Sequence, residues 1–120
     1  MTKRQKKALY DRAISRYSAL AQVMVAIEEM AELTKELSRT IQGRGKVDQL
    51  DRIAEEVADV AIMLEQVANI YQIGDRVKNQ MTFKLMRLEA RMEKEGEYVC
   101  TGNSWGKFYF TRKRKEKRHV

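Results

Sequence analysis

No proline occurs anywhere in this 120-residue chain, and its six glycines fall at 43, 45, 74, 96, 102 and 106. Proline and glycine are the residues that most readily force a helix to stop, so the long stretches between these positions have little to break them. Within those stretches apolar residues recur three and four apart, the period of a helix face. The pattern predicts an all-α fold, a four-helix bundle over residues 1–95, with a short irregular or hairpin-like C-terminal extension over 96–120. The length suits one core rather than two.

The first helix is expected over about 5–16, with Leu9, Ala13 and Ile14 on one side. The apolar phase slips at Arg16-Tyr17-Ser18, where Ser18 can cap a second helix running from Ala19 to about Gln42. Its expected core stripe is Leu20, Met24, Ile27, Ala31, Ser38 and Ile41, widened by Val23, Met30, Thr34 and Leu37. After the loop Gly43-Arg44-Gly45-Lys46, Asp48 is placed to cap a third helix over about 49–72, with the stripe Leu50, Ile53, Val57, Val60, Leu64, Val67 and Tyr71. Gly74 is expected to stop that helix and Asp75 to cap a fourth. In the fourth, Val77, Met81, Leu85, Leu88 and Met92 face inward.

From Gly96 onward the helical period dissolves. Tyr98–Thr101 and Lys107–Phe110 have strand composition around Gly102-Asn103-Ser104-Trp105-Gly106, which suits a small hairpin. The net charge of +7 is concentrated here, because residues 101–120 carry seven Lys or Arg against Glu116 alone. The basic start is not followed by an apolar run, and no stretch is apolar enough to span a bilayer, so neither a signal peptide nor a membrane span is expected. The lone Cys100 cannot form an internal disulfide, and the cytoplasm is the expected compartment.

The carboxylates need explanation. Glu29 and Glu32 lie three apart on the second helix, and Glu56 and Asp59 three apart on the third, so each pair projects from one face. On the helical wheel Val25 and Leu33 flank the first pair, and Val57-Ala58-Asp59-Val60-Ala61-Ile62-Met63-Leu64 is apolar almost all round. Acidic side chains in such surroundings need partners, and converging carboxylates repel unless a multivalent cation or raised pKa values relieve them. Salt bridges from Lys35, Arg39 or Arg52 on ordinary amphipathic helices are the plainer reading. The available ligands are all oxygen, which suits Mg²⁺ or Mn²⁺. A di-iron bundle needs Glu-x-x-His, but the single histidine is His119, and zinc lacks its Cys and His ligands as well.

Glu28-Glu29-x-x-Glu32, followed after residues 33–55 by Glu56-x-x-Asp59, resembles the signature of the MazG-like all-α nucleoside triphosphate pyrophosphatases. That superfamily includes dimeric dUTPase and dCTPase relatives, and its small phage and prophage members look most similar. The resemblance spans about residues 8–92. It implies a Mg²⁺-dependent hydrolase that cleaves a (d)NTP between the α and β phosphates, giving a (d)NMP and pyrophosphate, in nucleotide pool sanitation or dUTP or dCTP removal. It implies that Glu29, Glu32, Glu56 and Asp59 hold the metal. Glu28 becomes an accessory carboxylate and a candidate to orient the attacking water. It further implies phosphate contacts from a basic element on the fourth helix, matched here by Lys84 and Arg87, with Arg91 one turn on. Some relatives carry a second arginine where this chain has Leu88. A homodimer or a dimer of dimers is the implied assembly.

The other motifs are weaker. Gly43-Arg44-Gly45-Lys46 lacks the spacing of a phosphate loop and reads best as a flexible connection, although Arg44 or Lys46 has the charge to meet a phosphate. Tyr10, Tyr17 and Tyr71 could stack on a base, yet tyrosines at helical spacing are more often core or interface. The basic run Arg112–Arg118 beside Phe108-Tyr109-Phe110 has the composition of a nucleic-acid contact. The competing class is therefore a non-enzymatic helical module that binds nucleic acid through this tail, although such runs are more often solvated ends.

Overall fold

A computed structural model describes residues 1–44, 47–96, 98–100 and 110–112, with the backbone alone for the last two segments. Among the described residues the chain is all-α, with four helices: α1 (Lys3–Tyr17), α2 (Ala19–Ile41), α3 (Gln49–Ile70) and α4 (Gly74–Glu95). Two three-residue strands follow, β1 (Tyr98–Cys100) and β2 (Phe110–Arg112), paired antiparallel with Val99 opposite Thr111. The second strand lies further along the chain than its composition predicts. The expected turn 102–106, Lys46 and the tail beyond Arg112 lie outside the described residues. The chain forms two compact units, 1–77 and 78–120.

Local chemistry sets the helix ends. α1 begins earlier than its apolar pattern suggests, because Thr2 and Gln5 form a capping box. Gln5 N–H donates to Thr2 Oγ1 at 3.1 Å, and Thr2 N–H donates to Gln5 Oε1 at 2.8 Å. Ser18 caps α2 as expected, its hydroxyl accepting from Ala21 N–H at 3.2 Å. Asp48 precedes α3 but makes no side-chain cap, and its carboxylate accepts from Arg52 Nε at 3.1 Å instead. Gly74 does not stop α3. It is the first residue of α4, and the left-handed turn falls on Gln72, with φ 54°.

In the first unit α2 and α3 form an antiparallel pair, and α1 packs on both. The seam between α2 and α3 differs from the expected one. One row of its covered positions is Gln22, Ala26, Glu29, Leu33, Glu36 and Thr40 on α2, with Gln49, Arg52, Glu56, Asp59, Met63, Gln66 and Ile70 on α3. These steps alternate between three and four residues, the spacing of helices packed side by side. Ala26, Leu33, Met63 and Ile70 are the apolar members of this row, and Val23 and Val25 on α2 and Ile53, Val60 and Val67 on α3 are half-buried as well. The stripe expected as the α2 core is instead open to water, with Leu20 71% and Ile27 59% exposed and Met24 and Ile41 also exposed. Of the α3 stripe, Leu50, Val57, Leu64 and Tyr71 are exposed, while Ile53, Val60 and Val67 are half-buried. No residue of α4 is buried, and the residues expected to face inward are exposed: Val77 in the first unit and Met81, Leu85, Leu88 and Met92 in the second.

Polar contacts pin the seam at both ends. Glu36, 5% exposed, accepts from Gln49 Nε2 at 2.9 Å and from Arg39 Nη1 at 3.2 Å. At the other end Gln66, 1% exposed, donates from Nε2 to Gln22 Oε1 at 3.3 Å. α1 is held to α3 in the same polar fashion. Glu65 accepts from Lys6 Nζ at 3.0 Å and from Tyr10 Oη at 2.6 Å, Asn69 donates to Asp11 at 2.9 Å, and Gln66 Nε2 donates to the Tyr10 carbonyl at 3.1 Å.

Candidate metal centre

The antiparallel seam brings the middle of α2 against the middle of α3, and this sets two acidic turns side by side. Glu29, Glu56 and Asp59 each offer a carboxylate oxygen, and the three oxygens lie within 4.8 Å of one another. Their separation in sequence is spanned by the 43–48 connection, so the cluster is a product of the hairpin rather than of either helix alone. None of the three is buried, which leaves the cluster open to an incoming ligand.

Electrostatics mark the same place. Glu56 holds its proton more tightly than a free glutamate, first because packing against the seam strips water from it. The negative charges of Glu32, Asp59, Glu29 and Glu55 add to the effect. Glu32 therefore belongs to the acidic field, although its carboxylate also sits 3.6 Å from Lys35 Nζ. Glu28 is exposed and is not one of the three clustered carboxylates, as its wheel position about 100° from Glu29 predicts. Glu55 was not singled out from the sequence. Its place beside Glu56 in the Glu55-Glu56 doublet was the available sign.

The donor set can be tested against a cation. Mg²⁺ binds oxygen at about 2.0–2.1 Å, so its ligand oxygens stand roughly 3–4 Å apart. Oxygens already within 4.8 Å need only a small contraction to reach that spacing. All donors are hard carboxylate oxygens, the remaining positions can be filled by water and phosphate, and a cation would cancel the repulsion that raises Glu56. The residues fit Mg²⁺ or Mn²⁺. Exposed acidic groups also occur widely without any ion, so the geometry permits a site rather than demanding one.

Lys84, Arg87 and Arg91 lie in the second unit, on α4, at helical spacing and all exposed. Arg87 and Arg91 share an open depression with Ala90, Lys94 and Glu95. Among the described residues none of the three basic side chains has an ion-pair partner, so their charge is available to an anion. Of the tyrosines considered for base stacking, Tyr10 is committed to Glu65, while Tyr17 and Tyr71 are exposed. No helix among the described residues is long and apolar enough to cross a membrane. Comparison with family models, curated proteins and solved structures finds no match to the chain.

Proposed function

We propose that the protein is a Mg²⁺-dependent nucleotide pyrophosphohydrolase of the MazG-like type, converting a (d)NTP to a (d)NMP and pyrophosphate. The observation that carries this reading is the convergence of Glu29, Glu56 and Asp59 on one point of the α2–α3 seam, within the negative field of Glu32. These four residues would hold the metal, which supplies Lewis acidity and charge neutralisation to a polyphosphate. Without it, an acidic cluster repels a triphosphate, so the metal is needed for binding as well as for turnover. Glu28, exposed one residue before Glu29, is assigned to orienting the attacking water. Lys84, Arg87 and Arg91, exposed on α4, are assigned to the substrate phosphates as positive charge.

A second copy of the chain is the proposed partner, as a homodimer or a dimer of dimers. Exposed apolar stripes on α2, α3 and α4, set against a polar seam, leave Ala26 and Met63 as the buried apolar residues among those described. Contiguous apolar faces on that scale mark association surfaces. Each chain carries several such faces of its own, so copies of it can cover one another without a foreign partner.

The deciding experiment incubates the protein with a panel of NTPs and dNTPs and Mg²⁺ and measures pyrophosphate. Release that disappears in EDTA and in Glu32→Gln and Asp59→Asn, with helical signal intact, supports the reading. Full activity in excess EDTA, or in both variants, overturns the site.

A further inference from the structure

We propose that α1 is an exchangeable arm, hinged at Ser18, that docks on the α3 of a second copy as well as on its own. The inference concerns assembly and does not rest on the proposed activity.

The hinge is a single residue between two helices. Ser18 sits at φ 80° and ψ 153°, a backbone region that essentially only glycine populates without strain. The hydrogen-bond ladder nevertheless reaches it from both sides. Ser18 N–H donates to the Ile14 carbonyl at 2.9 Å, and Gln22 N–H donates to the Ser18 carbonyl at 3.2 Å. Turning Ser18 to helical angles would let the N–H groups of Ala19, Leu20 and Ala21 bond the carbonyls of residues 15–17. α1 and α2 would then form one continuous helix over 3–41, and Arg16-Tyr17-Ser18-Ala19-Leu20 contains no glycine or proline to oppose it. The bend is therefore held by α1's contacts together with the Ser18 cap on Ala21 N–H.

Those contacts are of the kind that can be exchanged. No residue of α1 is buried. Its ties to α3 are the Lys6 and Tyr10 bonds to Glu65, the Asp11–Asn69 bond and the Gln66 bond to the Tyr10 carbonyl. Beneath the arm, Gln66 Oε1 accepts no hydrogen bond from the described residues, so lifting α1 hydrates a buried acceptor that is otherwise orphaned. A strained one-residue hinge with an identical docking site on every copy is the setting in which swapping costs least, because each copy regains the same bonds.

The test exploits the Lys6–Glu65 contact, close enough at 3.0 Å for a zero-length carbodiimide to join the two side chains. Isotopically heavy and light full-length chains are unfolded together, refolded at a series of concentrations and cross-linked, and the Lys6–Glu65 peptides are weighed. Mixed heavy–light peptides whose share grows with concentration are expected. Ser18→Gly, which removes the strain of the closed form, should lower the mixed share about tenfold, a factor within the range of such backbone strain. Ser18→Ala, which loses the cap and favours the straight helix, should raise it. Unmixed peptides alone at every concentration would overturn the proposal. A mixed share that ignores both Ser18 substitutions would overturn it too, since that marks cross-linking between unswapped neighbours.

Discussion

The Gln49 amide nitrogen donates to Glu36 Oε2 at 2.9 Å and to the Glu36 backbone carbonyl at 3.0 Å, so one side chain meets two acceptors of a buried glutamate. The pair bridges the last turns of α2 and the first residue of α3, and it fixes the register that brings Glu29 against Glu56 and Asp59 about two to three turns away. Gln49→Ala leaves the Glu36 carboxylate with Arg39 as its remaining side-chain partner among the described residues. A loss of about 1–3 kcal/mol is expected, the usual cost of stranding a buried polar group, measured by urea unfolding with an unchanged m-value.

Glu56 supplies a prediction with two opposite signs. Its proton affinity is raised in the fold, so its ionisation costs stability: the metal-free protein should be most relaxed below the ordinary glutamate range and lose stability as pH rises through the elevated pKa. Glu56→Gln should therefore raise the Tm of the metal-free protein near neutral pH. The same variant should lose the Mg²⁺-dependent rise in Tm seen in the wild type. A variant that is stabilised and still gains from Mg²⁺ would remove Glu56 from the metal site.

The Tyr10–Glu65 bond has its own pH signature. Loss of water around Tyr10, its hydrogen bond to Glu65 and the negative charge of that carboxylate push the phenol up to about 12, from 10.0. Stability from the neutral phenol is present below pH 10.0 and is lost as pH rises toward about 12. Glu65 is shifted the other way by its bonds to Tyr10 and Lys6, so its contribution is present above the ordinary glutamate range and lost in acid. Phenolate absorbance should show a late-titrating component that is missing in Tyr10→Phe.

Arg87→Ala tests the assignment of the basic face of α4. It should lower kcat/KM for nucleotide hydrolysis by about 10²-fold, the usual loss when a charge-stabilising donor is removed. Mg²⁺ affinity, read by calorimetry without nucleotide, should not change. Loss of Mg²⁺ binding would assign Arg87 a structural role instead.

The exposed stripe of α2 should report on self-association. Met24→Glu places a charge among Leu20, Ile27 and Ala31, all exposed in the single chain. Light scattering should move toward the monomer mass with helical content preserved. A wild type that is already monomeric would count against the second copy as the cover for these faces.

Four helices and most of their limits were legible from the absence of proline, from helical periodicity and from Ser18, because these act through neighbours in the chain. The carboxylate pairs were legible too, since a spacing of three places side chains on one face wherever the helix lies. What periodicity cannot fix is which face of a helix meets its neighbour within the chain. The apolar stripe of α2 identified a face that avoids water, but the structure turns Gln22, Glu29 and Glu36 toward α3 and leaves Leu20, Met24 and Ile27 exposed. The sequence thus determined the helices and the identity of the acidic residues. Only the antiparallel docking of α2 on α3, pinned by Gln49 and Gln66 through hydrogen bonds between residues far apart in the chain, decided that Glu29, Glu56 and Asp59 converge.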